Sequence, residues 1–108
     1  MNKYGNTKIE IDGNIFDSKR EAARWRELKL MERAGEITDL QRQVPFSVIP
    51  SLRCNGHAYR ESRYIADFTY RDKKGSFIVE DAKGVKTKEY MLKKKLVAWL
   101  HSIEIREV

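Results

Sequence analysis

The segment Phe77–Gly84 constrains the fold of this chain more than any other, and it reads Phe-Ile-Val-Glu-Asp-Ala-Lys-Gly. Three apolar residues in succession at its start are typical of a buried strand. Because side chains alternate between the faces of a strand, Asp81 and Lys83 share one face and Glu80 points to the other. A carboxylate and an ammonium are costly to bury unless something pairs with them. A divalent metal ion with a phosphate would do so, and a simple ion pair at a strand end is the alternative.

The charge of the chain indicates a polyanionic partner. It has 108 residues, a net charge of +6 and a pI near 9.5. This length suits one domain with a modest core. This charge favours nucleic acid first and an anionic membrane surface second as the class of partner, with a merely basic soluble protein as the alternative.

Several classes of protein are disfavoured by the sequence. Cys54 is the only cysteine, so we expect neither an internal disulfide nor a thiolate zinc site. No apolar run approaches the roughly 20 residues of a membrane span, and no signal-peptide apolar region is found near the N-terminus. We therefore expect a cytoplasmic protein with no membrane association.

The predicted first helix carries a carboxylate in an unusual place. It begins after Ser18, a predicted N-cap, and runs to about Ala34. At about 100° per residue, Glu21 falls between Trp25 and Leu28 on the stripe that faces the core. Glu21 is also the third helical residue, where it would complete a capping box with Ser18. Both interpretations, a site carboxylate and a capping residue, are kept.

Turn signals and alternation predict the remaining strands. Asp12-Gly13 and Asn55-Gly56 are typical turn pairs, and Pro45 suggests an edge position or a bulge. The predicted elements are a hairpin at Lys8–Phe16, a strand at Ile37–Ile49, a basic loop at Pro50–Ser62, hairpin strands at Arg63–Arg71 and Ser76–Lys83, and a closing strand at Ile103–Val108.

The second predicted hairpin places two aspartates opposite each other. Its connection suits a three-residue loop with Gly75 in the left-handed conformation. That register pairs Arg71 with Phe77, which puts Asp67 opposite Asp81. Directly opposed carboxylates repel each other, so this arrangement calls for a cation between them.

The last predicted helix is basic. It begins at Thr87, a predicted N-cap, and reaches about His101. Tyr90 and Lys93 border its apolar stripe and can point toward the site, and a solvated lysine face is the alternative. Its predicted core residues are Leu92, Leu96, Trp99 and Leu100, and its basic residues are Lys86, Lys88, Lys93, Lys94 and Lys95.

The order of these motifs resembles the PD-(D/E)XK nuclease superfamily, and within it a family of small, mostly uncharacterised phage and prophage proteins. One departure is that Ala66, not proline, precedes Asp67. The matching segments are Asp12-Gly13, Phe16–Ala22, Gly35–Gln43, Tyr64–Phe68, Glu80–Gly84 and Thr87–Leu96.

The resemblance implies a fold and a chemistry. The fold would be one restriction-endonuclease-like α/β domain over residues 1–108, with a central mixed sheet flanked by helices. The catalytic set would be Glu21, Asp67, Asp81 and Lys83. Mg²⁺ or Mn²⁺ would bind Asp67, Asp81, the backbone carbonyl of Ala82 and, directly or through water, Glu21. The residues expected to contact DNA are Arg20, Arg24, Lys86, Lys93 and Lys94.

Three functions follow from this sequence. The first is a metal-dependent DNA endonuclease of a phage or prophage, acting in the bacterial cytoplasm on branched or recombination-intermediate DNA. A homodimer is expected, because one small domain offers one cut. The second is a non-catalytic DNA-binding module on a nuclease fold, and the third is a purely structural basic protein.

Overall fold

Eight strands and two helices form within residues 8–82 and 84–108, which are the residues that the computed structural model describes. They form the mixed α/β fold that the sequence predicts. In chain order they are β1 (Ile9–Ile11), β2 (Asn14–Phe16), α1 (Lys19–Arg33), β3 (Ile37–Ile49), β4 (Leu52–Cys54), β5 (His57–Tyr59), β6 (Ser62–Asp72), β7 (Phe77–Asp81), α2 (Lys88–His101) and β8 (Arg106–Glu107).

The central sheet has four strands in the order β3-β6-β7-β8. The strands β3, β6 and β7 are antiparallel, whereas β8 is parallel to β7, so the sheet is mixed as predicted. Arg71 pairs with Phe77, and Gly75 has a φ of 82°, which confirms the predicted register and turn. Two small ribbons, β1–β2 and β4–β5, lie outside this sheet.

Local chemistry explains where the helices begin. Ser18 accepts a hydrogen bond from the N–H of Glu21, and Thr87 accepts one from the N–H of Tyr90, so both predicted N-caps are confirmed. The first helix ends before Gly35, whose φ of 77° is a conformation that glycine adopts without strain.

The helices pack on opposite faces of the sheet. Strand β7 shows this division, because Ile78 packs in one cluster and Val79 in the other. The α1 cluster contains Phe16, Ala22, Trp25, Leu28, Ile37, Phe68 and Tyr70. The α2 cluster contains Val48, Tyr64, Ala66, Val79, Tyr90, Val97 and Ile105.

The alternation of side chains between the two faces of the sheet is interrupted in the middle of strand β6. Tyr64 and Ala66 pack in the α2 cluster, whereas Phe68 and Tyr70 pack in the α1 cluster. Four alternate residues of a regular strand would share one face. The change therefore falls between Ala66 and Phe68, at Asp67.

In the neighbouring strand β3, the side chains change face at the same level of the sheet. Arg42 lies over the Phe16 ring of the α1 cluster at 4.0 Å, whereas Phe46 packs against the α2 cluster. Between them, Gln43 has a φ of 52°, which is rare within a strand for a residue other than glycine. Pro45 suggested an edge position or a bulge, and β3 is an edge strand of the sheet, with register shifts against β6 at Thr38–Gln41 and Ser47–Ile49. The positive φ of Gln43 accompanies the change of face beside Asp67.

The prediction for the core face of α2 was wrong. Tyr90 and Val97 are buried, whereas Leu92 is 58% exposed and Trp99 is 77% exposed. Of the predicted stripe, Leu96 packs against the α2 cluster. The helix is therefore rotated by about a third of a turn from the predicted orientation.

Polar contacts explain this rotation. The hydroxyl of Tyr90 donates to Glu107 at 2.8 Å, and Nζ of Lys94 lies 3.3 Å from Glu107. At the other end of the helix, Nε2 of His101 lies 2.7 Å from the carbonyl oxygen of Ser47. Because α2 is apolar on two sides, these contacts and the Tyr90–Val97 pair select the face that packs.

The segment predicted as a loop at Pro50–Ser62 contains a hairpin. Strands β4 and β5 pair antiparallel, with Leu52 opposite Tyr59 and Cys54 opposite His57. The turn is formed by Asn55 and Gly56, with φ values of 48° and 79°. Two successive positive φ values are typical of the tight turns that favour an Asn-Gly pair.

Candidate functional site

The centre of the site is Asp67, on strand β6 where the alternation changes. One of its carboxylate oxygens accepts a hydrogen bond from the N–H of Ala82 at 2.8 Å. This bond ties β6 to the residue just after β7. The hydrogen-bonded pairing of the two strands ends at Phe68–Glu80, so Asp67 and Asp81 lie one step beyond it. The predicted register therefore brings these two residues to the same end of the strand pair.

The second carboxylate, Asp81, is buried among aromatic residues. It is 1% exposed, and one of its oxygens accepts a hydrogen bond from the hydroxyl of Tyr64. Burial, then the hydrogen bond to Asp81, raises the pKa of Tyr64 above its usual value, and the charge of Asp67 adds to this effect. Both aspartates therefore act on one hydroxyl from the α2 side of the sheet.

Tyr90 of α2 lies in the same electrostatic environment. Burial and its hydrogen bond to Glu107 raise the pKa of its hydroxyl, and the charges of Asp81 and Asp67 raise it further. The predicted position of Tyr90 beside the site is thus confirmed. Two tyrosine hydroxyls consequently border the pair of aspartates.

The third carboxylate, Glu21, reaches the site from α1. It is only 4% exposed, as its predicted place on the core stripe requires. Its Oε1 accepts from Nε2 of Gln43 at 3.2 Å and lies 3.5 Å from Nη2 of Arg42. Burial, then the charge of Asp67, raises the pKa of Glu21, while Arg42 opposes the shift.

Half of the predicted capping box is present at Glu21, and its role as a site carboxylate stays a prediction. Its N–H is capped by Ser18 at 3.1 Å, and a hydrogen bond from the backbone of Asp17 lowers the pKa of its carboxylate. The same carboxylate also contacts Gln43 of β3. Glu21 therefore belongs to the helix start and to the carboxylate cluster at once.

Gln43, Arg42 and Tyr64 are site residues that the sequence analysis did not identify. Gln43 falls opposite Asp67, because the pairs on either side of it are Arg42–Phe68 and Val44–Ala66. The sequence marks Gln43 only as a polar residue in a strand. Its positive φ and its contact with Glu21 have no local sequence signal.

The predicted lysine of the site, Lys83, lies outside the described residues, so its role rests on its spacing from Asp81. Ala82 is described, and its N–H is the donor to Asp67. Among the described residues, no group of three or more His, Cys, Asp or Glu side chains is close enough to hold a metal ion. The donor chemistry still fits a hard cation, since Asp67 and Asp81 offer carboxylate oxygens and Glu21 is the next carboxylate.

Arg24 does not join this site. Its Nε and Nη2 donate to the two carboxylate oxygens of Glu80 at 2.8 and 2.7 Å. Glu80 is fully buried and also accepts from the hydroxyl of Tyr70, whose pKa burial and this bond raise to about 12. The hydrogen bond to Glu80 is also the main reason why the pKa of Arg24 is raised. The predicted opposite placement of Glu80 and Asp81 is confirmed.

The other predicted DNA-contacting residues lie at the surface. Arg20 is exposed and donates to the carbonyl oxygen of Val108 at 3.4 Å. Lys86 and Lys94 both pair with Glu107, and Lys93 lies 3.6 Å from Glu89. Their charges are partly balanced, and the hydrogen bond from Lys86 is the largest of the effects that lower the pKa of Glu107 to about 2.

A pocket of about 230 Å³ lies between β6 and α2. Tyr64 and Tyr90 form part of its wall, Arg63 and Lys93 supply positive charge, and Glu89 supplies a negative charge. Because the Tyr64 hydroxyl donates to Asp81, the pocket is separated from that carboxylate by one side chain.

A comparison with protein families identifies the family to which the chain belongs. Residues 1–106 match the model of the DUF1064 family, described as a protein of unknown function. The protein belongs to the DUF1064 family. No curated protein and no solved structure matches this DUF1064 chain. No helix in the described part of the chain is long and apolar enough to cross a membrane.

Proposed function

We propose that this DUF1064 protein is a metal-dependent DNA endonuclease of the PD-(D/E)XK type. Its substrate class is branched or recombination-intermediate DNA of a phage, in the cytoplasm of the bacterial host. The observation that carries the proposal is that β6 and β7 bring Asp67 and Asp81 to the same end of the strand pair, with Glu21 of α1 as the next carboxylate. The raised pKa of Glu21, to which the charge of Asp67 contributes after burial, supports this arrangement.

Like-charged carboxylates held together in a buried site are unfavourable without a cation. Asp67 and Asp81 would hold Mg²⁺ or Mn²⁺, with the carbonyl of Ala82 as a third oxygen and Glu21 directly or through water. When bound, the ion polarises the scissile phosphate and activates water for attack.

The protein's own groups would then orient the reaction. The Ala82 N–H fixes one oxygen of Asp67, and the Tyr64 hydroxyl fixes one oxygen of Asp81, so each keeps a defined direction. Gln43 does the same for Glu21. Lys83, two positions after Asp81, would stabilise negative charge that develops on the phosphate.

The DNA would approach from the α2 side, where basic residues and the pocket lie together. Lys93 and Arg63 line that pocket, and Lys86 and Lys94 share Glu107 nearby. Arg24 is left out of the phosphate-contacting set, because Nε and Nη2 of its guanidinium are engaged by buried Glu80 and Nη1 by Glu27. Binding that depends on these cations should weaken steeply with salt.

The test is cleavage of supercoiled plasmid and of synthetic four-way junctions, with and without Mg²⁺. We expect wild type to cut only with the metal. Lys83→Ala should cut about 10²–10³ times more slowly while binding DNA nearly normally. Lys74→Ala, in the exposed β6–β7 turn, is the matched control and should cut at the wild-type rate.

Calorimetry separates metal binding from chemistry. Asp81→Asn should bind Mg²⁺ much more weakly than wild type, whereas Glu104→Gln, at an exposed position, should not change it. Equal binding by Asp81→Asn would overturn the metal site. Metal-independent DNA binding without any cleavage would favour the second function, a non-catalytic DNA-binding module.

A further inference from the structure

The ribbon arm, made of β4, the Asn55-Gly56 turn and β5, buries none of its strand residues. All six residues of its two strands are exposed, and the strands continue outward from the end of the β3–β6 pair. Ordering such an arm costs conformational entropy that no buried apolar surface offsets. A well-formed but unburied hairpin therefore suggests a contact with another molecule.

The charge of the arm selects the kind of molecule. Arg53 lies in the arm and Arg60 directly follows it, and no residue of the arm is acidic. The next residue, Glu61, pairs with Arg63. Nη1 of Arg53 donates to the carbonyl oxygen of Gly56 at 3.3 Å, which holds its positive charge at the tip of the arm. A positive arm without acidic residues complements a polyanion.

The shape of the arm fits duplex DNA. A two-stranded antiparallel ribbon is one of the two elements that the major groove admits. On one face of this ribbon lie Leu52 and its cross-strand partner Tyr59, both exposed, and Arg53 and Ala58 lie on the other. This gives an apolar face for base edges and a charged face for the phosphate backbone.

We propose that the ribbon arm inserts into a groove of duplex DNA away from the cleaved phosphate. This inference rests on DNA as the partner in the proposed function and extends it to a second contact. The eight residue-to-residue steps from Tyr59 to Asp67 span at most about 27 Å as an extended strand. At 3.4 Å per base pair, the arm contacts DNA up to about eight base pairs from the site.

The test is the salt dependence of binding to a 30-base-pair duplex, measured by fluorescence anisotropy without divalent metal. We compare wild type with the double variant Arg53→Ala/Arg60→Ala. The slope of log affinity against log salt should fall by about 1.8, which corresponds to two lost phosphate contacts. Between 50 and 200 mM salt, wild type should thus lose about twelvefold more affinity than the variant.

The control is Lys73→Ala/Lys74→Ala, which removes the same charge from the exposed turn at the other end of β6. We expect its slope to match wild type. Equal slopes for both double variants would overturn the inference, as would the absence of DNA binding by wild type. Thermal unfolding should show that both variants are folded, since all four residues are exposed.

Two combinations of cleavage and binding results distinguish a failure of this inference from a failure of the proposed function. If wild type cuts DNA with Mg²⁺ but the arm variant binds with an unchanged slope, the arm inference fails and the nuclease stands. If the arm variant loses slope but wild type never cuts, the arm stands and the catalytic proposal fails. A change in oligomeric state of the arm variant, with no change in slope, would show that the arm contacts protein and would overturn the inference.

Discussion

Gln43 donates a hydrogen bond from Nε2 to Oε1 of Glu21 at 3.2 Å, and it does so from a left-handed backbone conformation within β3. A left-handed residue with a side chain costs about 1–2 kcal/mol relative to ordinary backbone. Such strain at a position beside a carboxylate cluster is typical of residues retained for function. We infer that Gln43 positions Glu21.

Replacing Gln43 separates backbone strain from side-chain contact. Gln43→Ala keeps the strained φ and loses the hydrogen bond, whereas Gln43→Gly loses both. We expect both variants to cut DNA about 10–100 times more slowly, the usual effect of removing a residue that orients a metal ligand. In urea unfolding, the glycine variant should be more stable than the alanine variant by about 1 kcal/mol. Wild-type cleavage by either variant would remove Gln43 from the site.

Glu21→Gln should stabilise the protein while slowing cleavage. The pKa of Glu21 is raised in the folded state, so its carboxylate destabilises the fold where it is ionised. The contribution of Glu21 to the free energy of unfolding is fully present below the usual pKa of glutamate, near 4.5. This contribution is lost as pH rises through the raised pKa of Glu21 in the folded state. Thermal unfolding from pH 4 to 8 should show an advantage of the variant that grows with pH.

Mg²⁺ provides the internal control for that experiment. Bound cation favours ionised carboxylates, so Mg²⁺ at pH 8 should raise the Tm of wild type more than that of Glu21→Gln. An equal rise in Tm for both proteins would indicate that Glu21 acts only at the helix start.

Arg24→Met should destabilise the fold strongly. The change leaves the buried carboxylate of Glu80 without its ion-pair partner, which typically costs about 3–5 kcal/mol. Arg26→Met, on the exposed face of the same helix, should change stability by less than about 0.5 kcal/mol. Urea unfolding measures both, and a small effect for Arg24→Met would return that residue to the candidates for DNA contact.

We predict that the protein forms a homodimer through α2 and that Trp99→Lys converts it into a monomer. One set of site residues per chain requires two chains for two cuts, and Leu92, Trp99 and Leu100 leave an apolar face of α2 exposed. Sedimentation should show a dimer for wild type and for the control Leu30→Lys, an exposed leucine on α1. A monomeric wild type, or a dimeric Trp99→Lys, would contradict a dimer through this face.

Much of the fold follows from local chemistry in the sequence. Ser18 and Thr87 cap their helices as predicted, and Gly75 sets the register of β6 and β7. That register, together with the helical angle of Glu21, is why the carboxylates of the site could be predicted. These features depend on neighbouring residues, which a sequence shows directly.

The rest depends on contacts between distant segments. The packing face of α2 was mispredicted because the helix is apolar on two sides, and Glu107 and Ser47 decide between them. The Asn55-Gly56 signal was present, but no alternating apolar pattern marked its flanking strands. The positive φ of Gln43 accompanies the change of side-chain face that β3 and β6 share. No local sequence pattern predicts this change.

The ion pair between Arg24 and Glu80 also disfavours an incorrect register of β7. Phe77, Ile78 and Val79 are all apolar, so a slip of β7 by one residue would exchange them between the two layers at little hydrophobic cost. The same slip would take Glu80 away from Arg24 and set it against Tyr64, with Asp81 removed from the carboxylate cluster. Charge, rather than hydrophobicity, thus determines the register of β7, and with it the position of Asp81.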